Sequence, residues 1–200
     1  MRTAEKSFAG SAPVDAPSSD RPASLDKPVL RDATAADMAI IQSIYAAHVS
    51  HGTGTFEELP PSVEEMTDRW RGIVARNLPY LVAGFDGQVQ GFAYVAPFRP
   101  RSAYRHTIED SIYVAPATVG LGLGRFLLGH LIERCTADGY RQMVAVIGDS
   151  ENAASIRLHG SLGFKRAGIL TSSGFKFGRW LDVVFMQLAL GDGDRTLPPH

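Results

Sequence analysis

Glu109-Asp-Ser-Ile-Tyr-Val-Ala-Pro-Ala-Thr-Val-Gly-Leu-Gly-Leu-Gly-Arg-Phe-Leu-Leu128 is the stretch on which the reading of the fold turns. Its β-branched and aromatic run, Ser111 to Val114, predicts a strand. Pro116 opens a glycine-rich turn, and from Gly124 the apolar spacing becomes helical. Strand, glycine loop and helix N-terminus in that order make an anion cradle, because loop N–H groups and the helix dipole converge on one point. The expectation is a seat for a phosphate-bearing cofactor.

Outward from the cradle the elements alternate. A helix from Gly124 to about Asp138 leads into the apolar run Gln142–Ile147, a buried strand in the parallel βαβ pattern. A short helix from Asn152 to Leu162 ends at Gly163. Two closing strands follow near Phe164–Leu170 and Trp180–Leu188, joined through a glycine-rich connection containing Gly174 and Gly178. On the N-terminal side the strand begins near Thr107, behind the interruptions at Pro97 and Pro100. Tyr80–Phe85 and Val89–Val95 flank Asp86-Gly87, a strong hairpin signal. Earlier still, Thr34 and Asp37 form a capping box for a helix whose face carries Met38, Ile41, Ile44, Tyr45 and His48. Gly52-Thr-Gly-Thr-Phe56 breaks it. Ser62 and Glu65 open a second helix with the stripe Val63, Met66, Trp70, Ile73 and Val74, and Leu30 starts an edge strand. The sum is an α/β domain: a mixed, mostly antiparallel sheet with helices on both faces and one central parallel βαβ crossover.

At 200 residues and 44% hydrophobic the chain suits one compact domain, expected over residues 28–190. Residues 1–27, rich in Ala, Ser, Pro and Asp without periodicity, are expected to be a disordered leader, and residues 191–200 a flexible tail. A net charge of −1 argues against nucleic acid or an anionic membrane surface as partner. No apolar run is long enough to span a bilayer. A single cysteine, Cys135, excludes an intramolecular disulfide and suits a cytoplasmic setting. It shares an apolar stripe with Leu128, Leu131 and Ile132, which reads as packing rather than nucleophilic chemistry.

Glycines 120, 122 and 124 invite a dinucleotide reading, but the third glycine of that fingerprint would fall on Arg125 or Leu127. A Walker loop lacks its Gly-Lys-Ser/Thr. Val119-Gly-Leu-Gly-Leu-Gly124 instead resembles motif A of the GNAT superfamily of acyl-CoA-dependent N-acetyltransferases, Gln/Arg-x-x-Gly-x-Gly/Ala. The surrounding segments narrow the resemblance to the phosphinothricin and methionine sulfoximine acetyltransferase branch. They are Thr55-Phe-Glu-Glu-Leu-Pro-Pro61, Ala96-Pro-Phe-Arg-Pro-Arg101, Tyr104-Arg-His-Thr-Ile-Glu109, Asn152-Ala-Ala-Ser-Ile-Arg-Leu-His159 and Gly174-Phe-Lys-Phe-Gly-Arg-Trp180. The resemblance covers roughly residues 29–190. Val119 departs from it, standing where the family usually carries Gln or Arg; the backbone cradle is expected to survive that change.

The resemblance implies acetyl-CoA as co-substrate, no metal, and a place for each reacting group. Acetyl transfer to an amine needs a neutral amine, a stabilised oxyanion and a protonated leaving thiolate. Glu109 stands where the family places its carboxylate base. Asp110 would point to the opposite face by strand alternation and is the poorer candidate. The segment Ile112-Tyr113-Val114 is implied to splay from its neighbouring strand. Ile112 and Val114 would then bond the pantetheine arm, with the Val114 N–H facing the thioester oxygen. Gly120, Leu121, Gly122, Leu123, Gly124 and Arg125 would hold the pyrophosphate. Asn152 and His159, seven apart, share a helical face with Ser155 near it. His159 stands where many relatives carry a thiolate-protonating Tyr, and reads equally well as general acid or as a structural histidine packed beside the cofactor. Arg99, Arg101 and Arg105, interleaved with Phe98 and Tyr104, suit capture of an acidic acceptor, with Phe56 and Glu57 closing the pocket from the other side. The Phe175–Trp180 segment is implied to lie near a homodimer interface; packing of its own core is the plainer alternative.

The expected activity is acetylation of the α-amine of a small amino acid or analogue, such as phosphinothricin, methionine sulfoximine or methionine sulfone, by direct attack in a ternary complex. Another acceptor (polyamine, antibiotic or protein N-terminus) and a non-catalytic acyl-CoA sensor are the alternatives.

Overall fold

The computed structural model describes residues 27–198. The expected leader falls outside them but for Lys27. Strand β1 (Val29–Asp32) leads through a 3-10 turn into helix α1 (Met38–His51), followed by α2 (Val63–Val74). Then come β2 (Tyr80–Phe85), β3 (Gln88–Pro97), β4 (Thr107–Val114), α3 (Leu123–Ala137), β5 (Gln142–Gly148), α4 (Ala153–Ser161), β6 (Lys165–Lys176) and β7 (Arg179–Ala189).

The Thr34–Asp37 capping box forms as read, whereas at Ser62 only one half of the expected box forms, the Glu65 carboxylate turning to Arg69 instead. Asp37 accepts from the Thr34 backbone N–H at 2.8 Å and from both Arg31 guanidinium nitrogens. The Arg31 hydrogen bond is the main cause holding the Asp37 carboxyl down at about 2, against the opposing cost of its burial. Ser62 accepts from the Glu65 N–H at α2. In the β2–β3 hairpin, Asp86 and Gly87 both take positive φ, 51° and 76°, as the two-residue turn requires.

The strands form one seven-stranded sheet in the order β1-β2-β3-β4-β5-β7-β6, and β4 with β5 is its parallel pair. This is the mixed, mostly antiparallel sheet expected. Helices α1 and α2 cover one face through Ile41, Tyr45 and Met66 against Tyr80, Val82 and Phe92. On the other face α3 buries Leu127, Leu128 and Leu131 against Ala93, Val95 and Ile108, and α4 joins them through Ile156 and Leu158. Cys135 is fully buried in that layer, its thiol pushed up to about 12 chiefly by burial, so it packs and does not react.

Two expectations are corrected. Val63 and Val74 are exposed, so the buried part of the α2 stripe is narrower than its hydrophobicity implied. Gly174 lies inside β6, and the β6–β7 connection is the two-residue turn Phe177-Gly178. A glycine within a strand often marks the close approach of another group, and here that group is Phe56, described below.

The feature that positions the site is a fork. β4 and β5 are paired from Thr107–Gln142 to Asp110–Ala145 and no farther, although β4 runs on to Val114 and β5 to Gly148. β3 keeps hold of β4 as far as Val114, and β7 keeps hold of β5 as far as Gly148. The sheet therefore opens at its middle into two halves.

Candidate active site

A cavity of about 920 Å³ fills the fork. One wall is β4 from Asp110 to Val114, and the other is Ala145–Ile147 of β5. With no strand among the described residues beside it, the β4 backbone facing β5 past Ser111 has free donors and acceptors there, which a ligand can use. One is already taken: the Val114 carbonyl lies 2.8 Å from His48 Nε2. A carbonyl only accepts, so His48 donates from Nε2. What Val114 offers into the fork is its N–H.

The glycine cradle stands at the mouth of the same cavity. After β4 the chain makes a 3-10 turn (Pro116–Thr118), tied by Thr118 Oγ1 to the Ala115 carbonyl at 2.9 Å. Gly120 and Gly122 follow with φ of 87° and 84°, the left-handed region that glycine enters without strain. Gly122 caps α3, and the first bond closing back on the loop runs from the Phe126 N–H to the Gly122 carbonyl. The N–H groups of Leu123, Gly124 and Arg125 precede that bond and point out of the helix end. Leu121 contributes less than expected, because its N–H already donates to Thr118 at 3.2 Å. The Leu123 side chain is buried, and the Arg125 guanidinium holds Ser161, so both serve the cradle by backbone alone.

Helix α4 forms the roof. Asn152 caps it, accepting from the Ser155 N–H at 3.2 Å, and Asn152, Ser155 and His159 all line the cavity. His159 is 2% exposed. Its Nδ1 lies 2.8 Å from the Ser155 carbonyl and its Nε2 2.9 Å from Asp110 Oδ2, so both ring nitrogens are bonded inward. Burial works against charge on His159, but the Asp110 hydrogen bond and charge outweigh it and raise the imidazole pKa. Asp110, the poorer base by its position, is a buried partner instead.

Glu109 stands on the opposite face of β4 from Asp110, the face on which Tyr113 packs edge-on against Tyr45 at 4.9 Å. It is half-buried and does not line the fork cavity. Burial pushes its carboxyl above the ordinary range; Arg99 partly offsets this, and Asp110 adds to it.

The acceptor candidates also lie outside the cavity wall. Phe56 sits in a slot between Gly148 and Gly174, where a Cβ on either glycine would run into its ring. The slot is held from three sides. Buried Lys176 donates from Nζ to the Gly52 and Thr55 carbonyls, each at 2.8 Å. Asp149 accepts from Thr53 and from Arg179. Glu57 is clamped by Arg69 at 2.6 Å and by the Tyr45 hydroxyl at 2.9 Å, so it secures the loop and is not free for a ligand. Arg99 lies over the Phe98 ring, 4.3 Å from its centroid, and Tyr104 meets that ring edge-on at 5.8 Å. Arg101 and Tyr104 are exposed. Gly174→Ala is expected to eject Phe56 from its slot. The resulting strain of ~1–3 kcal/mol should raise the acceptor KM roughly tenfold while the acetyl-CoA KM stays within about twofold, read by steady-state kinetics. An unchanged acceptor KM would remove Phe56 from the pocket.

Sequence weighed Asp110 only as a poorer base, and did not single out His48, Lys176, Arg179 or Arg69 as site residues. His48 carried a faint signal, as the polar member of an apolar stripe; the others resemble surface charges until the fold buries or pairs them.

Comparison with known proteins shows the family. Residues 41–164 match the model of the Acetyltransferase (GNAT) family. The chain is 53% identical over 162 residues to phosphinothricin N-acetyltransferase of Alcaligenes faecalis, covering 81% of this chain and 82% of the relative. It is 42% identical to the L-methionine sulfoximine/L-methionine sulfone acetyltransferase of Pseudomonas aeruginosa, over 84% of this chain and 98% of that one. Among solved structures, a GNAT superfamily phosphinothricin acetyltransferase from Sinorhizobium meliloti in complex with AcCoA superposes with a TM-score of 0.84. That likeness has 48% identity and covers 86% of this chain and 94% of the other.

Proposed function

We propose that this chain, which belongs to the GNAT acetyltransferase family, acetylates the α-amine of a small amino acid or analogue of the phosphinothricin, methionine sulfoximine or methionine sulfone kind. The chain is an N-acetyltransferase with acetyl-CoA as co-substrate. The fork is the observation that carries the reading. A parallel strand pair that parts at Asp110–Ala145, with a glycine cradle at its open end, suits a long flexible arm ending in a pyrophosphate.

In this reading Ile112 and the Val114 N–H bond the arm, with the thioester beyond Ile112 toward Asp110 rather than at the Val114 N–H as the resemblance implied, and the N–H groups of Gly120 and of Gly122 to Arg125 hold the pyrophosphate. Asn152 and Ser155 face the arm from α4. The bound acceptor's amine reaches the thioester from the Glu109 side of β4. Its nitrogen attacks the carbonyl carbon, Glu109 takes the amine proton directly or through water, and the carbon–sulfur bond breaks. The position of His159 favours the structural role over the general acid, since both nitrogens are engaged; the departing thiolate then takes its proton from water. Arg99, Arg101 and Tyr104 would meet the acidic groups of the acceptor, with Phe56 opposite.

The homodimer belongs to the same reading. β6 is an edge strand, and around the β6–β7 turn Phe175 of β6, Phe177 of the turn and Trp180 of β7 are each more than half exposed. Such a patch on an edge favours a second copy. A cytoplasmic site rests on the single buried cysteine; no described helix is long and apolar enough to cross a membrane.

The test is release of free thiol from acetyl-CoA with a panel of amino acids and their sulfone, sulfoximine and phosphinate analogues. Turnover is expected with the analogues. Release of thiol only with polyamines or peptides would replace the acceptor, and no release with any amine would leave a binding protein.

A further inference from the structure

The Asp110–His159 pair has no part in the reaction just described, yet it is among the most deeply buried polar contacts of the domain, with side chains 1% and 3% exposed. Its place is particular. Asp110 belongs to the last rung that joins β4 to β5, so it marks the closed end of the fork. His159 comes from the last turn of α4, the helix whose first turn carries Asn152 and Ser155 along the cavity. The pair therefore ties the roof of the cavity to one of its walls at the point where the cavity ends.

The hydrogen bonds define its protonation. The Ser155 carbonyl can only accept, so His159 Nδ1 carries a proton. Nε2 and Asp110 Oδ2 then share one more; without it a lone pair would face a carboxylate oxygen at 2.9 Å. Among the described residues Asp110 Oδ1 is buried with no partner, so the carboxylate depends on His159 for its compensation. Other titratable groups bearing on the pair are Cys135 of α3 and Glu109 on the far face of β4, both of which feel the Asp110 charge. Phe164 closes the remaining side edge-on, 5.0 Å from the imidazole.

With a pyrophosphate at the open end of the fork, the thioester of an arm laid along β4 comes to rest toward the closed end. The depth available there decides where the carbonyl carbon stops and how long an acyl group fits beyond it. We propose that Asp110 is a positioning residue that, through its one-proton bond to His159, fixes the closed end of the fork and so selects two-carbon acyl donors over longer ones. This rests on the reading of the fork as the acetyl-CoA site.

The test compares acetyl-CoA with propionyl-CoA at a fixed, saturating amino-acid acceptor. Asp110→Ala removes the tie. Its kcat with acetyl-CoA is expected to fall by about tenfold to a hundredfold, as a displaced thioester loses its alignment. Its propionyl-to-acetyl ratio of kcat/KM is expected to rise roughly tenfold, the scale on which one methylene is discriminated. Asp110→Asn keeps the shape and can donate its amide N–H to a neutral His159, so it should restore most of kcat and the wild-type acyl preference. Nitrogen-15 spectra of the imidazole add a readout without turnover: both His159 nitrogens protonated at neutral pH in the wild type, Nε2 bare in Asp110→Asn. If Asp110→Ala does not fold, Asp110→Ser, which keeps a hydroxyl but not the reach, carries the same comparison.

Wild-type kcat and acyl preference in a folded truncation variant would overturn the proposal, as would a wild-type spectrum with Nε2 unprotonated. Failure of the underlying acetyl-CoA reading looks different, for then the wild type releases thiol from neither donor.

Discussion

Glu109→Gln is expected to lower kcat by about two to four orders of magnitude, the range that general base catalysis supplies, while CoA affinity measured by calorimetry stays within about twofold. The separation follows from where the residue stands. Glu109 is on the α1/α2 face of β4, outside the fork cavity, so the substitution leaves the walls of that cavity untouched. Glutamine keeps the size and a hydrogen bond but cannot take a proton at neutral pH. The pH profile gives a second check. Burial raises the Glu109 carboxyl pKa, so the wild-type kcat/KM should fall on the acid side at a pH above the usual carboxylate range, because a protonated carboxyl cannot accept the amine proton. That limb should vanish in the variant, leaving only the limb set by the acceptor's own amine. Unchanged turnover in Glu109→Gln would remove Glu109 from the chemistry.

The second large effect is expected at the cradle. Gly122 has φ 84°, and Asp and Asn are the side chains that best tolerate that region. A carboxylate is also welcome at a helix N-terminus, so Gly122→Asp should fold with a thermal midpoint near that of the wild type. Its charge, however, would occupy the point where the N–H groups of Leu123, Gly124 and Arg125 converge. A like-charge contact of a few ångströms with a pyrophosphate costs ~3–4 kcal/mol in the dielectric of a protein surface. The KM for acetyl-CoA should therefore rise by roughly two to three orders of magnitude. Gly122→Asn isolates the strain without the charge and should cost less than about tenfold. Equal effects of the two variants would mean that no anion sits there.

Most of the fold was legible in the sequence because its signals are local. Asp86-Gly87 specifies a turn by backbone freedom, Thr34 and Asp37 specify a helix start by their own hydrogen bonds, and the β4–α3–β5 segment shows its period directly. What was not legible depends on groups far apart in the chain. Ile112 and Val114 would serve equally well in a fully paired strand, so their side chains do not mark where β4 leaves β5; only the pantetheine contacts implied by resemblance suggested it. Gly174 looked like a connection because the reason for a glycine inside β6 is Phe56, over a hundred residues earlier in the chain. Lys176 carried no local sign of its role: it is buried and bonded to two carbonyls of the loop that carries Phe56. Strand alternation correctly turned Asp110 away from Glu109, but its partner lies on a helix 49 residues on.

The fork also bears on what holds the molecule together. A sheet normally meets its edge at the surface, where water completes the ladder; here an edge runs through the interior, between β4 and β5. An extended arm bonded to that edge would act as a non-peptide strand spliced into the middle of the sheet. The hydrogen-bonded fold is then shared between polypeptide and co-substrate. At a hundred times its dissociation constant such a ligand adds about 2.7 kcal/mol to the folded state, a sizeable part of a domain's usual margin of ~5–15 kcal/mol. Acyl-CoA would thus add to the stability of the fold as well as feed the reaction.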